Sequence, residues 1–337
     1  MKKKWLAVAL IAVLLLGIAG CGAQEADVPD QPAVVDNENE KVALVAGTAP
    51  GPVSYPLAYM LENSDDIDLQ IEPWNKSDQL LAMITAGQVN VSSTPLTNAI
   101  MLYNNGVDVK LINIASWGTL YVMSSEDTVQ SITDLKGKQI GIAGKGGNHD
   151  LVFRHLLIQN GLQPDQDVEI TYLDFPEASS KLATGELKYA ILNEPNSSMA
   201  ILNARKGGVE LHRVIDLQVE WQKMTGRETA RIPHAGFIVV NADQLDKTVV
   251  EKFQQNYTAA SEWINNNPED AGPLVETHFD WMKGAAVQQS IPYARLDPVP
   301  AIDCQEEIEA FFTELLKTAP AEAIGGKLPD AGFYFQP

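Results

Sequence analysis

From Lys41 onward, short apolar runs alternate with segments of helical apolar spacing, twice over, before one strand returns. Few folds accept such a pattern, because alternating strands and helices build mainly parallel sheets covered by helices. In the first run KVALVAG, IDLQIEPW, VNVSS, VKLINIAS and TLYVMSS read as strands. YPLAYML and SDQLLAMITAG read as helices, the second stopped by Gly87. TPLTNAIMLYNN is a further helix, for which Thr94 is the expected N-cap and Pro95 the first helical residue. After the polar stretch EDTVQSITDLKGK, strands QIGIAG, DVEITYLDF, KYAILN and VELHRVIDL alternate with helices DLVFRHLLIQNG, PEASSKLATG and PNSSMAILNARKGG. AGFIVVN then reads as a strand returning to the first run, and the remainder is mostly helical. The expected fold class is α/β, in two lobes joined by two crossings. Lobe I takes residues 41–126 plus 235–337, and lobe II takes 127–234.

The N-terminus follows different rules. Lys2, Lys3 and Lys4 precede an apolar run from Trp5 to Gly20 that stops at Cys21. This is a secretory layout, too short and wrongly flanked for a spanning helix. Residues 1–20 are expected to be a signal peptide. Ile18, Ala19, Gly20 and Cys21 resemble the bacterial lipobox. The resemblance implies cleavage before Cys21, a diacylglycerol on its thiol, and an extracytoplasmic, lipid-anchored protein. The rest of 21–40 is rich in acids and amides and reads as a flexible tether.

The chain carries 44 acidic against 24 basic residues. That balance argues against nucleic acid as a partner. With Cys21 lipidated, only Cys304 remains, so no internal disulfide forms, and Cys304 reads as a packing residue. The five histidines form no H-E-x-x-H or close ligand pair, and no G-x-S-x-G nucleophile motif occurs. No metal, no cofactor and no catalytic residue is expected.

Three stretches carry a family resemblance. LLAMITAGQVNVSSTPLTNAI, SITDLKGKQIGIAGKGGNHD and LATGELKYAILNEP resemble segments of bacterial solute-binding proteins of ABC importers. The chain is similar to the nitrate/taurine/alkanesulfonate/bicarbonate binders, a group that includes pyrimidine-precursor binders. Lys188 and Tyr189 stand where the family's acidic position usually falls. The resemblance implies a two-lobed periplasmic-binding-protein-like fold of type II with a central ligand cleft. It further implies a monomer that captures a small solute by lobe closure and delivers it to an ABC permease.

In open α/β sheets, ligands bind outside the carboxyl ends of the strands. That rule selects the loops AGTAPGPVSYP, EPWNKS, SSTPLTN, ASWGT, GKGGNHD and LNEPNSS. In GKGGNHD, Gly144, Gly146 and Gly147 keep side chains away, Asn148 can cap the following helix, and free N–H groups would face an anion. Thr94 and the helix after it offer the same chemistry from lobe I. Tyr55, Trp74 and Trp117 are expected as aromatic walls, with packing under a loop as the alternative for each. Glu194 would pair with a ligand amine, or merely favour the start of its helix. The leading expectation is a small oxyanion of the sulfonate, taurine or nitrate class. A pyrimidine-type thiamine precursor is the alternative. A lipoprotein enzyme on the same fold, with His149 and Glu194 as its only catalytic candidates, and a surface adhesion or sensor lipoprotein stand behind these.

Overall fold

The computed structural model describes residues 41–337. The expected signal peptide, Cys21 and the tether lie outside the described residues. Among the described residues, eleven strands build two sheets. In chain order they are β1 (Val42–Thr48), β2 (Ile67–Pro73), β3 (Val91–Pro95), β4 (Val109–Ser116), β5 (Leu120–Ser124) and β6 (Gln139–Ala143). Then come β7 (Glu169–Leu173), β8 (Tyr189–Asn193), β9 (His212–Asp216), β10 (Ala235–Val240) and β11 (Leu296–Pro300). The first sheet has the order β11-β4-β10-β3-β1-β2 and the second β7-β6-β8-β5-β9. Central strands such as β4, β8 and β10 are almost continuously buried, as strands covered on both faces must be.

The returning strand inserts antiparallel between β3 and β4. Its fit depends on Gly236, because a Cβ there would lie 1.8 Å from the Asn113 carbonyl oxygen. Only glycine allows so close an approach.

Three expectations need correction. TLYVMSS was expected in lobe I, yet β5 pairs with β8 and β9 in the second sheet. The first crossing therefore runs through Trp117, Gly118 and Thr119. The polar stretch that suggested a later boundary is a loop within the second lobe. The segment after Cys304 was expected in lobe I alone. Instead Phe311 packs on Trp221 of the second lobe, with ring centroids 4.9 Å apart, and Thr318 bonds His155 at 2.7 Å. The chain then comes back to the first sheet, where the Phe335 amide donates to the Leu111 carbonyl. Thirdly, Thr94 is not an N-cap but a residue of β3, paired with Gly236. Pro95 holds the cap position of helix Leu96–Asn104.

Helix Leu217–Thr225 follows β9 without a loop, because the Asp216 carboxylate caps it by accepting from Gln218 and Val219. The two crossings bond directly to each other. The Ile232 amide donates to the Trp117 carbonyl, and the His234 amide to the Ser116 carbonyl. The His234 carbonyl in turn accepts from Leu96, so the return crossing is pinned to the start of a lobe I helix.

Candidate functional site

Where the strand ends of the two lobes meet, a cavity of about 260 Å³ opens. Trp74 follows β2 and forms one wall, 5% exposed, with its indole N–H on Ser92 at 3.2 Å. Ser93 and Thr94 end β3, and Ser116 and Thr119 flank the first crossing. The second lobe contributes His149, Phe175 and Asn193, and the return crossing contributes His234. Phe175 is set by Asp174, whose carboxylate caps helix Phe175–Thr184.

A second chamber of about 330 Å³ shares Pro95, His149 and His234 with the first. Its other walls include Asn98, Met101, Gly146, Gly147, Asn148 and Glu322. The histidines stand between the chambers, with ring centroids 5.5 Å apart at 84°. His149 also meets Phe175 edge to face at 5.5 Å. Burial, and then the neighbouring His234, pull His149 down to about 3. Burial alone brings His234 down to about 4. Both rings are neutral at pH 7 and offer one donor and one acceptor each.

Polar bookkeeping marks this place. Among the described residues, eight buried side-chain polar atoms have no partner, and four of them belong to residues lining the two chambers. These are Thr119 Oγ1, His149 Nε2, Asn98 Oδ1 and Asn148 Oδ1. Each such atom costs about 1–3 kcal/mol when left unmade. Half of the partnerless atoms thus belong to residues that line this one cleft.

The expected site residues divide. Trp74 and Thr94 line the first chamber, and Gly146, Gly147 and Asn148 line the second. The glycine loop is not the free anion cradle expected, however. Gly146 donates its N–H to Asp150 Oδ2 at 2.8 Å, and Gly147 donates to the Gly144 carbonyl. Asp150, buried and held by Arg154 and Tyr172, supplies the anion itself. Asn148 is not the cap either. Gly147 takes that position, and the Asn148 amide nitrogen lies 3.0 Å from His234 Nδ1.

Tyr55, Trp117 and Glu194 do not reach the cleft. Tyr55 is fully buried, with its hydroxyl 2.9 Å from Ser290. Trp117 lies in the crossing, donates to the Asp297 carbonyl at 2.7 Å, and has the Arg231 guanidinium 4.0 Å above its ring. Glu194 is fully buried and satisfied by Arg213 Nε at 2.7 Å and by the Ser198 hydroxyl and amide. Burial pushes its carboxyl up, against the pull of Arg213. It is spent on Arg213 and on the first turn of helix Asn196–Lys206, and is not turned to a ligand amine.

No expectation covers His234 or Phe175, while Asn98, Thr119 and His149 fall on the selected loops SSTPLTN, ASWGT and GKGGNHD without being singled out as ligand contacts. Their signals were position alone, just after a strand or on a crossing. A larger cavity, about 620 Å³, lies instead beside Arg205, Glu210, His212, Arg213 and Tyr293. None of the partnerless atoms belongs to its lining, so size does not make it the site. Among the described residues no three His, Cys, Asp or Glu side chains converge as a metal-ligand set.

Comparison with known proteins agrees with this architecture. The chain is 23% identical over 227 residues to the nitrate/nitrite binding protein NrtA of Synechococcus elongatus, covering 62% of this chain. It spans about half, 50%, of that relative's length. An ABC transporter structure from Parabacteroides distasonis superposes with a TM-score of 0.72 at 22% identity, over 87% of this chain and 99% of the other. The periplasmic aliphatic sulphonate binding protein SsuA from Escherichia coli superposes with a TM-score of 0.62 at 17% identity, over 82% and 94%. These likenesses establish the two-lobed binding-protein fold. A family model described as NMT1/THI5 like matches residues 63–271, more than half of the chain, and the chain therefore belongs to the NMT1/THI5-like family.

Proposed function

We propose that this protein is the extracytoplasmic solute-binding component of an ABC importer, that it closes two lobes on a small planar nitrogen heterocycle of the aminopyrimidine kind, and that it hands this solute to a permease. Anchoring by lipid on Cys21, with residues 22–40 as tether, belongs to the same proposal and rests on the lipobox-like sequence. The observation that carries it is the cleft with its partnerless polar atoms between Trp74, Phe175 and two neutral histidines. No Lys, Arg, Asp or Glu lines the first chamber. An uncharged ring with N–H and ring-nitrogen groups stacks on such walls and satisfies such atoms. A permanent anion would find the Gly146 amide of the glycine loop already given to the Asp150 carboxylate.

A second reading, an oxyanion of the sulfonate, taurine or nitrate class, is favoured by one observation. Helices Leu96–Asn104 and Asn148–Gln159 both start at the cleft without a side-chain cap. Their positive ends favour an anion by about 0.3–1 kcal/mol each. The names of the nitrate- and sulphonate-binding relatives point the same way.

A thermal-shift panel separates the two. A ligand at a hundred times its Kd adds about 2.7 kcal/mol of stability. Aminopyrimidines are expected to raise the melting temperature by several degrees, and nitrate, taurine and alkanesulfonates are expected to leave it unchanged. The opposite pattern would establish the oxyanion reading in its place.

A further inference from the structure

We infer that Glu307, on helix Gln305–Leu315, is a positioning residue for the cleft: by gripping Arg231 it holds the return crossing so that His234 stays buried between the two chambers. Its test needs no solute, so it can fail while the proposed function stands, and the reverse.

The return crossing has little support of its own. Residues 231–234 belong to no helix or strand, and Pro233 has no N–H to give. Two amides hold the backbone, Ile232 on the Trp117 carbonyl and His234 on the Ser116 carbonyl. Ile232 is fully buried and fixes one side of the segment. Arg231 fixes the other. Its Nε donates to one oxygen of the Glu307 carboxylate at 3.0 Å, and its Nη2 donates to the second oxygen. Such a fork sets direction as well as distance. Arg227, four residues earlier, adds a contact to Glu307 at 3.3 Å.

Glu307 serves as a fixed point because its helix is tied to both lobes. Before it, β11 pairs with β4 of the first sheet. One turn beyond it, Phe311 packs on Trp221, and Thr318 then bonds His155. The chain is fastened to lobe I again where the Asn104 amide donates to the Ile324 and Lys327 carbonyls. The Glu307 side chain is 16% exposed and that of Arg231 30%, so the pair is partly shielded from water. The carboxylate raises the Arg231 guanidinium further above its usual range.

The consequence falls on His234, three residues along. Its Nδ1 lies 3.0 Å from the Asn148 amide nitrogen, and its ring meets that of His149 edge to face. Glu322 is the one charged residue among the lining of the second chamber. Burial keeps the His234 ring well below the usual imidazole range. A crossing free to swing outward would admit water and raise it.

Nitrogen-15 NMR of the histidine rings in the full chain, with amide hydrogen exchange alongside, tests this. In Glu307→Gln the His234 midpoint should rise by about one pH unit or more, a tenfold or greater change in the protonation equilibrium. The Ile232 and His234 amides should exchange about tenfold faster. The Phe237 amide, held by Asn113 Oδ1 within β10, should keep its rate. Glu307→Asp, which keeps the carboxylate, should restore most of both effects. Arg231→Lys keeps the charge without the fork and should reproduce the Glu307→Gln result. It decides the matter if Glu307→Gln fails to fold. An unmoved His234 midpoint in both variants would overturn the inference. Equal acceleration of the Phe237 and His234 amides would overturn it too, because that marks general loosening rather than release of the crossing.

Discussion

The cleft and the side groove make an instructive pair. The groove beside Arg213 is the larger, about 620 Å³ against about 260 and 330 Å³ for the two chambers. Its least exposed charged side chain, Arg213, is engaged. Arg213 spends its guanidinium on Glu194 and Ser198, and stacks 3.7 Å from the Tyr293 ring. The cleft is smaller, and its polar groups are left hanging. What distinguishes a binding site from a crevice is thus unfinished hydrogen bonding, not volume.

The comparison breaks most visibly under substitution. Arg213→Ala should strand the buried Glu194 carboxylate and cost about 3–5 kcal/mol in chemical denaturation. Ligand affinity measured on the folded fraction should stay close to that of the parent. Trp117→Ala should behave alike, losing about 3–5 kcal/mol from the crossing without touching the ligand. If either change abolished binding at full stability, the groove or the crossing would belong to the site.

Acid should act on the cleft through its histidines. In the unfolded chain they titrate near 6.5, whereas in the folded protein they sit at about 3 and about 4. Below pH 6.5 the unfolded chain takes up protons that the native cleft refuses. Stability is therefore fully present above pH 6.5 and is lost as pH falls toward the folded values. Between pH 6.5 and 5, ahead of most carboxylates, the fall should be visible in urea titrations. A His149→Gln, His234→Gln double variant should flatten it. An unchanged slope in that variant would remove the neutral-histidine account.

The legibility of the sequence follows the same divide. Strand and helix alternation was readable because burial on both faces forces apolar runs such as GFIVV in β10. The boundary before β5 was not, since TLYVMSS is as apolar as a strand of either sheet, and only pairing tells which. The glycine loop was found, but its filling by Asp150 depends on Arg154 and Tyr172 arriving from a helix and a strand. Trp74 was found because it directly follows a strand. Trp117 was placed by the same rule and is buried, because the crossing turns its ring under Arg231. Asn98 and His234 carry no signal beyond position, since their partnerless or neutral state is created by tertiary burial.

The smallest energetic effect offers the most direct test. Thr119→Val keeps the shape of the side chain and removes a buried hydroxyl that has no partner. Melting the variant and the parent, each with and without a 4-aminopyrimidine, tests whether the cleft holds groups reserved for a ligand. The account predicts that the ligand-free variant gains about 1 kcal/mol while its ligand-induced shift shrinks. A ligand-free variant that melts lower, with its ligand shift intact, would contradict it.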